Sequence, residues 1–296
     1  MQTPTNWTDY QLLDAGDGEK LEMWGDIKVI RPDPQAIWPR VNPGAWRDPH
    51  MYYHRSKSGG GHWEKLRPTP DAWQISYDDL RFHIRPTGFK HMGLFPEQAV
   101  NWQWMMDKIK AANRPVKILN LFAYTGGATV ACLSAGAGVG AGHASGSASS
   151  VVHIDAAKGM NAWAKDNIVL SGLEHASHRI IADDVMKFVQ REIRRGNRYD
   201  GIIMDPPVFG RGPKGELWKL EDRLHELVQS TASLLTEDAL FLLVNAYTAG
   251  FSPAVYGNVM EIVLGHLLGQ ISFGEVGLRA HSDILLPCGM FARWEK

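Results

Sequence analysis

Three acids stand where a single chain could build a nucleoside site. Asp155, Asp184 and Asp205 close the apolar runs "SVVHID", "HRIIADD" and "YDGIIMD", each of which reads as a buried strand. Open α/β sheets bind ligands outside the carboxyl ends of their strands, and an acid ending the second strand can accept both ribose hydroxyls. Asp155 holds that position. Asp184 could accept from an adenine amino group while the N–H of Val185 meets the ring, although the same acid also reads as a helix cap. Asp205 is followed by Pro206, Pro207 and, two residues on, Phe209. Prolines cannot donate to a ladder, so they end the strand and hold Asp205, Pro206 and Phe209 in one rigid turn. Such a turn suits a binding site, or it is a plain bend with Phe209 in the core. In "NLFAYTGGAT" the glycines Gly126 and Gly127 let backbone approach a ligand, and the next helix offers free N–H groups. The pattern is not G-x-G-x-x-G, so a pyrophosphate cradle is not indicated. Three strand-end acids without that cradle suit an adenosine ligand lacking phosphates.

The elements that must position these acids follow from periodicity. From residue 97 helix and strand patterns alternate: "PEQAVNWQWMMDKIKAA" is helical, "VKILNLF" is a buried strand, and "TVACLSAG" begins a helix. "KGMNAWAKDNIVLSG", "VMKFVQREIRRG", "LWKLEDRLHELVQSTASLL" and "VYGNVMEIVLGHLLG" are the further helices, and "ALFLLVNAY" is a fifth strand. "ISFGEVGL … ILLPCGMFARW" predicts two closing strands. The reading is a doubly wound, mainly parallel sheet over residues 91–296. Residues 1–90 differ in texture: six of the eleven tryptophans lie there, between Pro- and Gly-rich turns, which predicts a small β-rich domain. "HRSKSGGGHW" reads as an exposed hairpin tip or loop. The run "GAGVGAGHASGSASS" is a flexible excursion that also moves Asp155 further from the first strand than the ~20 residues usual for a ribose-binding acid.

Bulk composition narrows the classes. With 44% hydrophobic residues, 296 residues bury one large core or one core and an appendage. The 31 basic and 32 acidic residues nearly cancel, so no global field recruits nucleic acid or an anionic membrane. Basic residues do outnumber acids between Arg31 and Arg67, a local surface for nucleic acid or a solvated face over a tryptophan core. Two cysteines, Cys132 and Cys288, suit neither a disulfide framework nor a metal site, and His50, His54, His62, His83 and His91 show no metal spacing. No apolar run reaches the ~20 residues that span a bilayer. A cytoplasmic protein without a membrane or metal partner is expected.

The motifs "LNLFAYTGGATVAC", "HIDAAKGMNAWAKDN", "DDVMKFV" and "DPPVFGRGPKGE" resemble the S-adenosylmethionine-dependent class I methyltransferases of the bacterial large-subunit ribosomal-RNA group. The similarity covers about residues 85–296 and includes "GFKHMGLFPEQ". It implies a Rossmann-like, seven-stranded sheet with a reversed final strand, and S-adenosylmethionine as cofactor. It places the methionine part near Ala123, Tyr124, Gly126 and Gly127, the ribose at Asp155 beside Lys158, and the adenine at Asp184 and Val185, with Asp205 also lining the cofactor. By analogy with Asp/Asn-Pro-Pro-aromatic motifs, Asp205 and the Pro206 carbonyl orient a target amine and Phe209 stacks on a flipped base. The aromatic stands one residue later than in the shorter motif. The cysteine that cytosine-carbon methylation requires is missing from "PPVFG" and "NAYTAGFSP", which argues for nitrogen as the acceptor. Glu97-Gln98-Ala99 also lacks the group's arginine. An RNA substrate is expected, with a protein or small-molecule substrate as the alternative. A non-catalytic adenosine module is the reading from another class, and a nicotinamide dehydrogenase lacks its fingerprint.

Overall fold

The computed structural model describes residues 1–56, 60–137, 149–211, 217–247 and 250–296. The chain folds into two compact units. The first comprises Met1–Val100 together with Val276–Cys288, and the second Asn101–Glu275 with Gly289–Lys296. The first unit therefore runs ten residues beyond the expected boundary at residue 90, and it takes in part of the closing strands. Linear texture could not assign that part, because a strand's contacts, not its neighbours in sequence, decide which core it joins.

In the first unit β1 (Tyr10–Gly16), β2 (Glu19–Trp24), β3 (Ile27–Pro32), β4 (Met51–Arg55) and β5 (Gly61–Lys65) form a sheet in chain order. Only the β3–β4 pairing is parallel. β6 (Trp73–Tyr77) and β7 (Leu80–Ile84) make an antiparallel ribbon. The β1–β2 turn is Asp17-Gly18, both residues at positive φ, the geometry that matches the twist of a two-residue hairpin. The predicted "HRSKSGGGHW" hairpin forms between β4 and β5, although residues 57–59 lie outside the described set.

Much of the positive charge between Arg31 and Arg67 is neutralised within this unit. Arg31 is buried and donates through Nε and Nη2 to Glu22, at 2.6 and 2.7 Å. Arg40 pairs with Glu19, Lys65 with Asp71 and Arg67 with Asp48. Three of these four acids, Glu22, Glu19 and Asp71, lie outside that window and meet it only in the fold.

The chain passes into the second unit within α1 (Ala99–Ala112), whose predicted first turn "PEQ" is instead a 3-10 turn. Then follow β8 (Lys117–Leu121), α2 (Gly127–Ala137), β9 (Ser150–Asp155), α3 (Lys158–Leu170), β10 (Ser177–Ala182), α4 (Val185–Arg194) and β11 (Gly201–Met204). A short antiparallel hairpin comes next, β12 (Phe209–Arg211) with β13 (Leu217–Lys219). The chain continues through α5 (Leu220–Ala232), β14 (Phe241–Ala246), α6 (Pro253–Leu264), β15 (Gln270–Arg279) and β16 (Leu285–Glu295). The "LWK" that reads as the start of a helix is β13. Most of the Gly/Ala/Ser-rich run, residues 138–148, lies outside the described set.

The seven-stranded sheet has the order β10-β9-β8-β11-β14-β16-β15. β10, β9, β8, β11 and β14 are mutually parallel and β16 runs antiparallel to β14. The expected seven-stranded, Rossmann-like sheet with a reversed strand is present. The chain enters at β8, winds outward to β10, and crosses back to β11 on the other side of β8. That reversal makes the β8/β11 boundary the topological switch point, where diverging loops leave a crevice. Leu119, Leu121, Ile202, Met204, Leu242 and Val244 bury one sheet face against Val185, Phe188, Leu224, Leu227 and Met260. No helix among the described residues is long and apolar enough to cross a membrane.

Glu22 makes the first unit sensitive to acid. Burial opposes its charge, but Arg31 and Lys20 prevail and hold the carboxyl at about 2 against an ordinary 4.5. A depressed folded-state value adds stability that is complete above 4.5 and disappears as pH falls toward 2. Glu22→Gln is expected to cost about 3–5 kcal/mol near neutral pH, because it strands a buried guanidinium. Thermal unfolding between pH 2 and 7 should show a flatter acid limb in the variant.

Candidate active site

The loop from β8 to α2 alternates its backbone handedness: Phe122, Tyr124 and Gly126 have φ of 56°, 50° and 85°. Two of these are bulky residues in a region that costs them strain, so the surroundings must hold them there. Asp155 supplies one restraint. Its Oδ2 accepts the Tyr124 N–H at 2.9 Å and its Oδ1 the Ala157 N–H at 2.8 Å. The Ala123 N–H donates to the Ile154 carbonyl, and buried Asn167 donates to the Thr125 carbonyl at 2.9 Å. Gly126 is required twice over. A Cβ there would lie 2.9 Å from that of Ala164, and its φ excludes most side chains.

Behind the loop runs a buried polar chain that pattern reading does not reveal. Asn120 donates to Thr129, whose hydroxyl meets His153 Nδ1 at 2.9 Å; His153 Nε2 meets Asn161 Oδ1 at 3.1 Å. Asn161 Nδ2 in turn donates to the Asp155 carbonyl at 3.0 Å. Its oxygen therefore faces His153, which must donate from Nε2 and accept at Nδ1. Burial depresses the His153 pKa to about 4, so the ring is neutral and suited to this relay. The only sequence signal was polarity inside the runs "VKILNLF" and "SVVHIDA". Asp155 feels the same burial: desolvation raises its carboxyl above the ordinary range, despite the two N–H donors. A ligand that donates hydroxyl protons would relieve that cost.

The other expected residues fall around this frame. The Asp183 N–H donates to the Asp155 carbonyl, and the Asp205 N–H to the Leu121 carbonyl at 3.4 Å. The loop after β8 and the ends of β9, β10 and β11 are thus joined by hydrogen bonds at one edge of the sheet. Lys158 is exposed at the start of α3. Asp184 caps α4, its Oδ1 accepting the Lys187 N–H at 2.9 Å, and the buried Val185 side chain belongs to the core. Only the main chain of Val185 is left to meet a ligand.

The Asp-Pro-Pro turn delivers more than a turn. Pro206 is buried and Asp205 half-buried, whereas Phe209 is 55% exposed. The alternative with Phe209 as a core residue is excluded, since the β12–β13 hairpin lifts it outward. Trp218 fastens that hairpin, donating from Nε1 to the Pro207 carbonyl at 2.7 Å with its ring 5.7 Å from that of Phe122. Val208 (44%) and Leu217 (52%) are exposed in the same segment as Phe209. Burial pushes the Cys132 thiol up to about 12 and the Cys288 thiol well above its ordinary value, so neither is a thiolate near neutral pH. No metal-ligand cluster occurs among the described residues.

These restraints make Gly126 the sensitive point of the loop. Gly126→Ala should lower the unfolding free energy by about 1–2 kcal/mol, the cost of a Cβ in left-handed backbone. Urea unfolding monitored by tryptophan fluorescence will show the loss as a lower midpoint.

Comparison with known proteins agrees with the geometry. A family model described as S-adenosylmethionine-dependent methyltransferase matches residues 48–246. Ribosomal RNA large subunit methyltransferase K of Neisseria meningitidis serogroup B is 28% identical over 184 residues, 62% of this chain and 48% of that protein. Ribosomal RNA large subunit methyltransferase K/L of Shewanella frigidimarina is 30% identical over 167 residues, 56% of this chain and 21% of that protein. The chain therefore spans about half or less of the length of these relatives. A crystal structure of the SAM-dependent methyltransferase from Agrobacterium tumefaciens superposes with a TM-score of 0.90 at 36% identity, covering 99% of this chain and 92% of that one. Matched by that family model over more than half its length, the chain belongs to the S-adenosylmethionine-dependent methyltransferase family.

Proposed function

We propose that this chain methylates a base nitrogen in large-subunit ribosomal RNA. The exposed Phe209 beside the anchored Asp205, at the switch point of the sheet, carries the reading, and the names of the Neisseria and Shewanella relatives support it. The cofactor fits the residues present: the cradle kept open by Gly126 at the Ala123–Gly127 loop, and the desolvated carboxylate of Asp155. In this reading Ala123, Tyr124, Gly126 and Gly127 hold the methionine part of S-adenosylmethionine. Asp155 and Lys158 hold the ribose, and Asp184 with the Val185 main chain holds the adenine. When bound, the cofactor supplies a methyl group on a sulfonium, whose C–S electron pair returns to sulfur as the nitrogen lone pair forms the new bond.

The protein's own contribution is alignment, which accounts for most of the rate in an in-line displacement. Asp205 and the Pro206 carbonyl accept hydrogen bonds from the target amine and turn its lone pair toward the methyl carbon. As the nitrogen becomes cationic, it sheds a proton to Asp205 and on to water. Phe209 stacks on the flipped base, a contact worth ~1–3 kcal/mol. No thiolate takes part.

A second reading, a protein or small-molecule acceptor, is favoured by the near-neutral charge and by the acids that neutralise Arg31, Arg40, Lys65 and Arg67. Salt dependence separates the two, since phosphate contacts give a steep slope. With unmodified large-subunit ribosomal RNA and labelled S-adenosylmethionine, the wild-type protein should transfer label; absence of transfer would overturn the RNA reading. Asp205→Ala should lower kcat about 10²-fold, the cost of a lost alignment, with calorimetric binding of S-adenosylhomocysteine weakened far less than that. Phe209→Ala should raise KM roughly tenfold, as loss of one stacking contact implies.

A further inference from the structure

Three buried polar side chains in the second unit form a ladder ending beside Asp205. Arg293 is 5% exposed, Asn101 0% and Asn245 4%. The Arg293 guanidinium lies over the rings of Trp104, at 4.8 Å, and Phe291, at 4.1 Å. Its Nε and Nη2 both donate to Asn101 Oδ1, the first at 3.0 Å. Asn101 Nδ2 donates to Asn245 Oδ1 at 2.8 Å.

The ladder has one possible polarity. A guanidinium only donates, so the oxygen of Asn101 must face Arg293 and its NH2 group must face Asn245. Asn245 must then present its oxygen to Asn101, and its own NH2 points elsewhere. Among the described residues, no hydrogen bond gives that NH2 an acceptor. Asn245 is buried as a residue, yet its nitrogen is not one of the fully enclosed atoms that lack a partner, so this donor is open to a group that is not part of the chain.

The sheet shows where that donor lies. β11 and β14 pair in parallel with Met204 opposite Val244, so Asp205 and Asn245 are the next residues in register. Adjacent strands lie about 4.8 Å apart. Met204, Leu242, Val244 and Ala246 face one core, while Phe241 meets Trp104 of α1 on the other face. By the two-residue period of strands, Asn245 and Asp205 both belong to the α1 face. Side chains on neighbouring strands can converge on a nucleobase edge, where an amino group stands next to a ring nitrogen or carbonyl oxygen.

We propose that Asn245 is a specificity residue: its Nδ2 donates to the acceptor atom flanking the amine that Asp205 orients, and Asn101 and Arg293 are positioning residues that fix its polarity. This rests on the RNA-methylating reading and deepens it. Substrates would be bases that carry an exocyclic amine beside an acceptor.

Nuclear magnetic resonance tests it without relying on turnover. The Asn245 side-chain amide of the protein loaded with S-adenosylhomocysteine is followed while AMP, CMP and GMP are added in turn. At least one should shift that resonance, and Asn245→Asp should weaken the same nucleotide at least fivefold while S-adenosylhomocysteine binding stays within twofold. Failure of all three nucleotides to move the resonance, or a loss of less than fivefold, overturns the inference. A variant that loses S-adenosylhomocysteine binding as well overturns it too, by making the role of Asn245 structural. The RNA reading fails on its own measurement, methyl transfer by the wild-type protein, so the two outcomes are distinguishable.

Discussion

The parallel pairing of β8 with both β9 and β11 is the constraint on which the rest depends. A chain that starts in the middle of a sheet and winds first to one side must return past its starting strand. The helices that follow β8 and β11 then lie on opposite faces of the sheet, and the loops that leave these two strands are where such folds bind ligands. The crevice is thus a consequence of winding order. What the side chains decide is how its walls are held and what they present.

Those walls are stiffened by buried hydrogen bonds of fixed polarity. On one side the relay Asn120–Thr129–His153–Asn161 ends on the Asp155 main chain, and the Asp155 carboxylate holds the Tyr124 N–H. On the other, Arg293 sets the orientation of Asn101 and through it that of Asn245. In both, a group with one unambiguous role removes the choice from every member after it. Satisfied networks of this kind rigidify a site, because each alternative leaves a buried polar atom unpaired. Displacement chemistry needs that stiffness, since misplacement by an ångström is costly in rate.

Periodicity exposed the sheet, its strand ends and therefore Asp155, Asp205 and the Ala123–Gly127 loop. Burial alternation and strand-terminating prolines are local properties that survive without tertiary context. The β12–β13 hairpin escaped, because "LWK" is joined to a helical run and only its pairing with Phe209–Arg211 makes it a strand. The basic stretch from Arg31 to Arg67 left two readings open for a related reason: its partners Glu19, Glu22 and Asp71 lie outside the stretch, and only the fold pairs them with it.

The sequence by itself determined the alternation of strands and helices, the acids at the strand ends and the proline turn after Asp205, since these depend on spacing and on the covalent stiffness of proline and glycine; the order of the strands in the sheet came only from the fold. Tertiary structure alone decided that Phe209 faces outward, that Asp184 caps α4 and that the division between units falls after residue 100. It also decided the polarity of the Asn245 amide, which follows from a guanidinium 48 residues away in the chain. Hydrogen-bond direction and burial depend on which groups meet, and that meeting is a property of the fold.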